Sequence, residues 1–213
     1  MKKNFAMRIA ACLLVVTMLS LCMVSYTYAK YTTQGDDQND AKVAAWGVNV
    51  AVELDDLFAA EYDAANGTVK AAGTYNLLAP GTKKTAAAVK VTGTPEVSTE
   101  ILPTVTVALN NWEVEGAYYC PLIVKVNNVA VATATDAATY AANIKAAIET
   151  AIKGVATDGK YAPNTDLSDK IGTVTVEWEW PFEVDDAKDT ILGNADTKAT
   201  FDLTIEVTVN QVD

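Results

Sequence analysis

Strict alternation of apolar and polar side chains is the feature that most constrains the fold of this chain. In the segment "TVTVEWEWPF" (173–182), valine, tryptophan and phenylalanine occupy every second position, with polar residues between them. Segments 45–54 and 201–209 alternate in the same way. Because successive side chains of a strand point to opposite faces, each segment is predicted to bury one face against a second layer. The large side chains expected in the resulting core are Trp46, Trp178, Trp180, Phe182 and Phe201.

Turn residues and one helical stretch complete the predicted fold. Asn-Gly at 66–67 and Asn-Asn at 127–128 separate short alternating segments, as hairpin turns do. Between about 136 and 153, apolar residues recur at every fourth position from Tyr140 to Ile152, which predicts an amphipathic helix. The chain is therefore expected to be mostly β, an antiparallel β-sandwich with one inserted α-helix.

The N-terminus has the composition of a secretory signal peptide. A basic start precedes the uncharged apolar run 9–26, and small residues fit a cleavage site between Ala29 and Lys30. An uncleaved signal anchor is the alternative, because the run is just long enough to span a bilayer. We expect residues 1–29 to be removed and the rest of the chain to be secreted, to the extracellular matrix or the cell surface.

Residues 30–41 are expected to form an extended N-terminal arm, followed by a single β-sandwich domain over 42–213. The arm is polar and acidic and has no apolar periodicity, so it contributes little to a core. Its first four residues, "KYTT", have the composition of a short strand. The acidic stretch 35–40 that follows has the composition of a flexible tether.

Composition excludes several kinds of chemistry. The chain contains no histidine, so Ser-His-Asp and Cys-His catalytic groups and histidine-based zinc sites are excluded. Its formal net charge is −11 and no arginine follows Arg8, which argues against nucleic-acid binding and against membrane binding beyond the signal segment. Cys120 has no second cysteine after residue 29 with which to form a disulfide, and its apolar surroundings predict a small core residue.

An acidic cluster after the tryptophan segment is the best candidate for a metal site. Asp185, Asp186 and Asp189 supply oxygen ligands of the kind that Ca²⁺ prefers, but their spacing matches no defined calcium loop. A solvated acidic turn is the favoured interpretation. No cofactor and no metal are therefore predicted.

Four segments, taken in order, resemble the TasA/camelysin family of secreted Gram-positive proteins. They are "TYAKYTT", "KVAAWGVNV", "LLAPGT" and "VTVEWEWPF…DDAKDTILG". The resemblance implies a jelly-roll domain that assembles into extracellular biofilm-matrix fibres. It also implies a SipW-type signal peptidase as processing partner and allows an accessory matrix protein as a further partner. It also implies that the N-terminal segment of one subunit completes the sheet of the next, a form of β-strand addition. The interface residues expected on this arm are Lys30, Tyr31, Thr32 and Thr33.

These observations together predict a secreted, non-enzymatic protein that forms a head-to-tail homopolymer by donor-strand complementation. The alternative is a cell-surface binding module, an adhesin for a glycan or a host protein, in which Trp178 and Trp180 would form an exposed platform. A camelysin-like protease is a third hypothesis, which the absence of histidine leaves without an evident zinc site.

Overall fold

The computed structural model describes residues 42–55, 57–64, 67–182 and 184–212. Within the chain, Trp46–Asp213 form one compact unit. The expected signal peptide, its cleavage site at Ala29 and Lys30, and the arm at 30–41 lie outside the described residues. None of the helices in the described part of the chain is long and apolar enough to cross a membrane.

Strands dominate the described residues and pair in antiparallel fashion. In chain order the elements are β1 (Asn49–Val52), β2 (Glu61–Ala64), β3 (Gly67–Lys70), β4 (Lys83–Thr92), β5 (Thr99–Asn110), β6 (Glu113–Val114), β7 (Ala117–Tyr118), β8 (Ile123–Val126), β9 (Val129–Ala130), α1 (Ala137–Lys153), β10 (Lys160–Tyr161), α2 (Leu167–Lys170), β11 (Thr173–Glu179), α3 (Asp186–Asn194) and β12 (Thr200–Gln211). The chain is mostly β, and its sheets are consistent with the predicted antiparallel β-sandwich.

The first sheet contains the tryptophan strand and has the order β1-β4-β11-β8-β9. In β11, the fully buried side chains of Val174, Val176 and Trp178 alternate with more exposed residues, as the sequence pattern predicts. The β8–β9 hairpin turns at Asn127 and Asn128, whose φ angles are 49° and 64°. Asparagine tolerates this left-handed conformation, so the predicted hairpin forms here.

The second sheet has the order β10-β5-β12. The β5–β12 pairing is continuous, from Thr200 opposite Asn110 to Gln211 opposite Thr99. On the inner face of β12, Phe201 and Ile205 are buried, while the polar residues between them are exposed. The pattern over 201–209 therefore forms one long strand with a single buried face.

Helix α1 closes the side of the sandwich between β5 and β8. Asp136 caps its N-terminus, and the apolar residues at every fourth position from Tyr140 to Ile152 are buried, as predicted. The Tyr140 hydroxyl donates a hydrogen bond to the Leu122 carbonyl (2.9 Å) and accepts one from the Val124 N–H (3.1 Å). These two bonds join the helix to β8, while its buried stripe packs along β5.

Three of the five side chains expected in the core are buried. Trp178 is completely buried, its indole Nε1–H donates to the Leu57 carbonyl (2.7 Å), and its ring meets Tyr62 edge-on at 5.6 Å between centroids. Trp180 and Phe201 are each 5% exposed. Trp178 and Trp180 therefore pack in the interior and do not form an exposed platform.

The other two expected core residues, Trp46 and Phe182, are exposed, and for them the prediction is wrong. Trp46 is 40% exposed because β1 begins only at Asn49, so the alternation of a strand does not hold before that residue. Phe182 is 51% exposed because β11 ends at Glu179, and its ring lies against Gly81 instead. In both segments the sequence pattern continues beyond the end of the strand.

The structure also contains elements that the sequence does not predict: helices α2 and α3, the hairpin β6–β7 and the short strand β10. The hairpin expected around 66–67 is present as β2–β3, but Ala64 pairs with Gly67. Gly67 therefore belongs to the second strand and not to the turn.

Candidate functional site

The two edges of the second sheet differ, and the β5 edge is largely covered. Strand β10 pairs only with the first two residues of β5. Farther along, Pro103 has no N–H group to offer, and the Val105 N–H donates to the Glu149 carboxylate of α1 (3.4 Å). Proline and a covering helix are common means of protecting a sheet edge from another strand. We infer that α1 and Pro103 close this edge.

Strand β12 forms the opposite edge, and within the described residues no strand pairs with its outer side. The Ile101 N–H donates to the Gly159 carbonyl on the β10 side (2.9 Å), so odd-numbered residues of β5 direct their amides away from β12. The even-numbered residues of β5 direct their N–H and C=O groups toward β12, and their partners in β12 are also even-numbered. The odd-numbered residues of β12 therefore have their backbone groups on the other side of the strand. The backbone groups of Phe201, Leu203 and Ile205 therefore point outward, toward the open edge.

An apolar groove runs along this edge. It has a volume of about 830 Å³, and five consecutive residues, Thr200–Thr204, line it. A cavity that touched only the inner face of β12 would contact every second residue, so the unbroken run indicates that the strand edge itself forms one wall. The facing walls are aromatic and aliphatic and include Phe58, Trp112, Trp180, Leu192 and the segment 75–78.

Aromatic contacts hold the walls of the groove in place. Phe58 meets Phe201 edge-on at 5.5 Å between centroids, and Trp112 lies 5.5 Å from Trp180. The Trp112 indole N–H also donates to the Thr200 carbonyl (2.8 Å). Such contacts stabilise a preformed groove, because each ring is fixed by a neighbour as well as by burial.

Tyr75 differs from the other aromatic residues at the groove because it is 59% exposed. Together with its exposed chain neighbour Asn76 it forms the rim of the groove, which Asp202 and Thr204 also line. An exposed ring next to polar side chains is a surface on which a ligand can pack. The rim is therefore more polar than the floor of the groove.

The acidic cluster predicted after the tryptophan strand is the start of helix α3, one wall of the groove. Asp185 caps the helix by accepting from the Lys188 N–H, and its carboxylate also lies 2.9 Å from the Lys188 ammonium. Asp189 is 9% exposed and accepts hydrogen bonds from the Tyr119 hydroxyl (2.7 Å) and the Trp180 indole N–H (3.3 Å). These carboxylates thus have structural partners, and they fix α3 to the end of β11.

Asp186 is exposed, and the described residues contain no group of three or more acidic or cysteine side chains arranged to hold a metal ion. The Tyr119 hydroxyl has a raised pKa because it is buried and because it donates to Asp189. Burial likewise raises the pKa of the Cys120 thiol to about 11. At neutral pH this thiol is protonated and is a poor nucleophile.

The expected interface residues Lys30, Tyr31, Thr32 and Thr33 lie outside the described part of the chain. The sequence does not locate the groove beside β12. Its walls come from segments far apart in the chain, around residues 58, 75–78, 112, 180 and 192–204.

The chain matches no protein-family model, no curated protein and no solved structure.

Proposed function

We propose that this chain is a secreted structural protein that polymerises head to tail into extracellular fibres by donor-strand complementation. The observation that carries the proposal is the asymmetry of the second sheet: α1 and Pro103 close the β5 edge, whereas none of the described strands pairs with the outer side of β12 along an apolar groove. The resemblance to the TasA/camelysin family points in the same direction. It suggests a biofilm matrix as the setting and a SipW-type signal peptidase as the processing partner.

The part of the β12 edge that lines the groove, Thr200–Thr204, favours pairing with another strand. Strand β12 extends from Thr200 to Gln211, and neither lysine nor proline occurs in it. Exposed edges without such residues readily add a strand, because their free N–H and C=O groups accept a backbone ladder. The covered β5 edge limits addition to one side of the sheet.

The arm at 30–41 has the length and chemistry of the strand that would be added. Residues Lys30–Thr33 would span about 13 Å as a strand, which fits within the run Thr200–Thr204 of the groove wall. Tyr31 supplies an aromatic ring for the apolar groove, and 35–40 serves as a tether. Because donor and acceptor are different surfaces of one chain, each added subunit leaves a free acceptor, and the assembly grows without closing.

Negative-stain imaging of the processed chain 30–213 and of the deletion chain 42–213 tests this proposal. The processed chain is expected to form filaments, and the deletion chain is expected to stay monomeric with the same circular-dichroism spectrum. The deletion chain keeps its acceptor groove, so adding it to the processed chain should shorten the filaments. Filaments of normal length from the deletion chain alone would refute the assignment of the arm as donor.

A binding module for a glycan or a host protein is the second candidate, favoured by the exposed ring of Tyr75 beside Asn76 at the groove rim. A persistent monomer that retains a carbohydrate, and loses it with Tyr75→Ala, would favour that function. Proteolysis is not proposed. Casein cleavage that a chelator abolishes, in a homogeneous preparation, would contradict the non-enzymatic assignment.

A further inference from the structure

The outward face of β12 carries negative charge only. Its two charged residues, Asp202 and Glu206, are exposed and alternate with the buried and partly buried residues of the strand, and Asp202 also lines the groove. Their partners across the β5 pairing are Ala108 and Thr104, neither of which is charged. The edge therefore presents two carboxylates, four residues apart, to any strand that pairs with it.

The nearest cations on the same sheet and along the groove already have partners. On β10, the Lys160 ammonium lies 3.8 Å from the Glu100 carboxylate, at the far edge of the sheet. At the groove, the Lys198 ammonium donates to the carbonyls of Gly193 (2.7 Å) and Ala195 (2.8 Å) at the end of α3.

The Asp202 carboxylate accepts hydrogen bonds from the Asn110 side-chain amide (3.1 Å) and the Thr200 hydroxyl (3.1 Å), both of which are neutral. Among the described residues no cation pairs with the acidic row formed by Asp202 and Glu206, so its negative charge can attract a cation on an incoming strand.

Like charges on opposite strands destabilise a sheet, and unlike charges stabilise it. Two copies of β12 pairing edge to edge would bring four carboxylates together, so the row disfavours symmetric pairing. A strand with a cation at the matching position is favoured instead. The only cationic side chain of the arm is Lys30.

The alternation of the arm agrees with this placement. In a strand over Lys30–Thr33, Tyr31 and Thr33 share one face and Lys30 and Thr32 share the other. With Tyr31 directed into the groove, Lys30 necessarily faces outward, on the same side as the acidic row. Both requirements, an inward ring and an outward cation, are met by one orientation of the strand.

We propose that the arm pairs antiparallel to β12 of a second copy with Tyr31 opposite Leu203, so that the Lys30 ammonium lies between Asp202 and Glu206. This inference rests on the proposed function and specifies its register. Leu203 is the suitable partner because its backbone points to the open edge and its side chain is only partly buried, whereas Phe201 is already packed against Phe58.

In this register Lys30 is opposite Thr204, and both carboxylates are at diagonal positions within reach of its long side chain. Thr33 is opposite Phe201, so the residues that exchange backbone hydrogen bonds are those whose groups point outward. The α-amino group released by cleavage adds a second positive charge at the same end of the strand.

Exposed ion pairs add little to affinity, but they speed association and select register. The difference in growth rate between the wild type and Lys30→Glu should therefore shrink as the salt concentration rises, because screening weakens both the attraction in the wild type and the repulsion in the variant. The acidic row thus favours the register in which the cationic end of the arm lies beside it.

Charge reversal in the processed chain 30–213 tests the pairing. Lys30→Glu alone, and Asp202→Lys with Glu206→Lys, should each slow filament growth by about tenfold or more, because each places like charges together. Mixed in equal amounts, the two variants should restore growth, because each arm then matches the acceptor of the other. Asp169→Lys, on α2 away from this sheet, is the matched control and should grow like the wild type.

Restoration by mixing excludes misfolding as the cause of slow growth, since a misfolded subunit would not be rescued. The pairing is overturned if both variants grow like the wild type, or if the mixture stays as slow as its components while wild-type filaments form normally. If the wild-type chain itself forms no filaments, the proposed function fails first, and the pairing fails with it.

Discussion

Removing the buried indole of Trp178 should nearly unfold the domain. Truncation of a large aromatic residue in a packed core costs about 3–5 kcal/mol. Trp178 is completely buried, and its loss also leaves the Leu57 carbonyl without its donor, a further cost of about 1–3 kcal/mol. We therefore expect Trp178→Ala to lose about 5 kcal/mol, comparable with the whole stability of many domains.

Two matched substitutions give this prediction a scale. Trp178→Phe keeps a ring in the core but removes the hydrogen bond to Leu57, so it should cost about 2 kcal/mol. Trp46→Ala removes the same side chain from a position that is 40% exposed and should cost less than about 1 kcal/mol. Urea unfolding of the three variants, followed by circular dichroism, measures the order. Equal midpoints for Trp178→Ala and the wild type would refute the core assignment.

Three further predictions concern other buried or paired groups. Asp189→Ala should lower the free energy of unfolding in urea by about 2–3 kcal/mol, because the Tyr119 hydroxyl and the Trp180 indole N–H lose their acceptor. As a control, Asp186→Ala at an exposed position should lower it by less than about 0.5 kcal/mol. Equal losses in the two variants would contradict the structural role of Asp189. Cys120 is partly buried, and burial raises the pKa of its thiol to about 11, so at pH 8 it should react with a thiol reagent much more slowly in the folded than in the unfolded chain; equal rates would contradict the raised pKa. A hydrogen bond from Lys125 lowers the pKa of Glu177, so this carboxylate stabilises the fold above its unfolded pKa of 4.5 and that contribution is lost as the pH falls through the lower folded value. The wild type should therefore have a larger free energy of unfolding than Glu177→Gln at neutral pH, and this difference should disappear as the pH falls below about 4.5. A difference that persists at pH 2 would contradict the lowered pKa of Glu177.

The long periodic elements could be predicted from the sequence, because their patterns repeat many times. Helix α1 occupies the predicted stretch, and the alternating segments at 173–179 and 201–209 lie within β11 and β12. The strand ends could not be predicted in the same way. Around Trp46 and Phe182 the alternation continues by chance after the pairing has stopped, and only the partner strand determines where that occurs.

The acidic segment before α3 contains a helix-capping pattern, which the interpretation as a solvated acidic turn does not include. Asp185 precedes a helical stretch, and Asp186 and Asp189 lie in its first turn, a pattern typical of a helix N-terminus. For Glu149, by contrast, the sequence predicts the local interaction but not the tertiary one. Its spacing from Lys145 predicts a surface ion pair, which is present at 3.7 Å, but its bond to the Val105 N–H depends on how α1 packs on β5.

The groove was beyond sequence reasoning because no single segment forms it. Its floor and walls come from residues as distant in the chain as Phe58 and Leu203, brought together by sheet topology. A pattern along one strand can predict which face is buried. Whether the strand has a neighbour on each side depends on the order of strands in the sheet.

Hydrogen exchange of individual β12 amides, compared between monomer and filament, reports whether a strand is added at the β12 edge. In the deletion chain 42–213, the Leu203 and Ile205 amides point to the open edge and should exchange fast, whereas those of Thr204 and Glu206 pair with β5 and should be protected. In filaments of the processed chain 30–213, the Leu203 amide should become protected by the added strand. Protection of Leu203 in the monomer, or its continued fast exchange in filaments, would contradict strand addition at this edge.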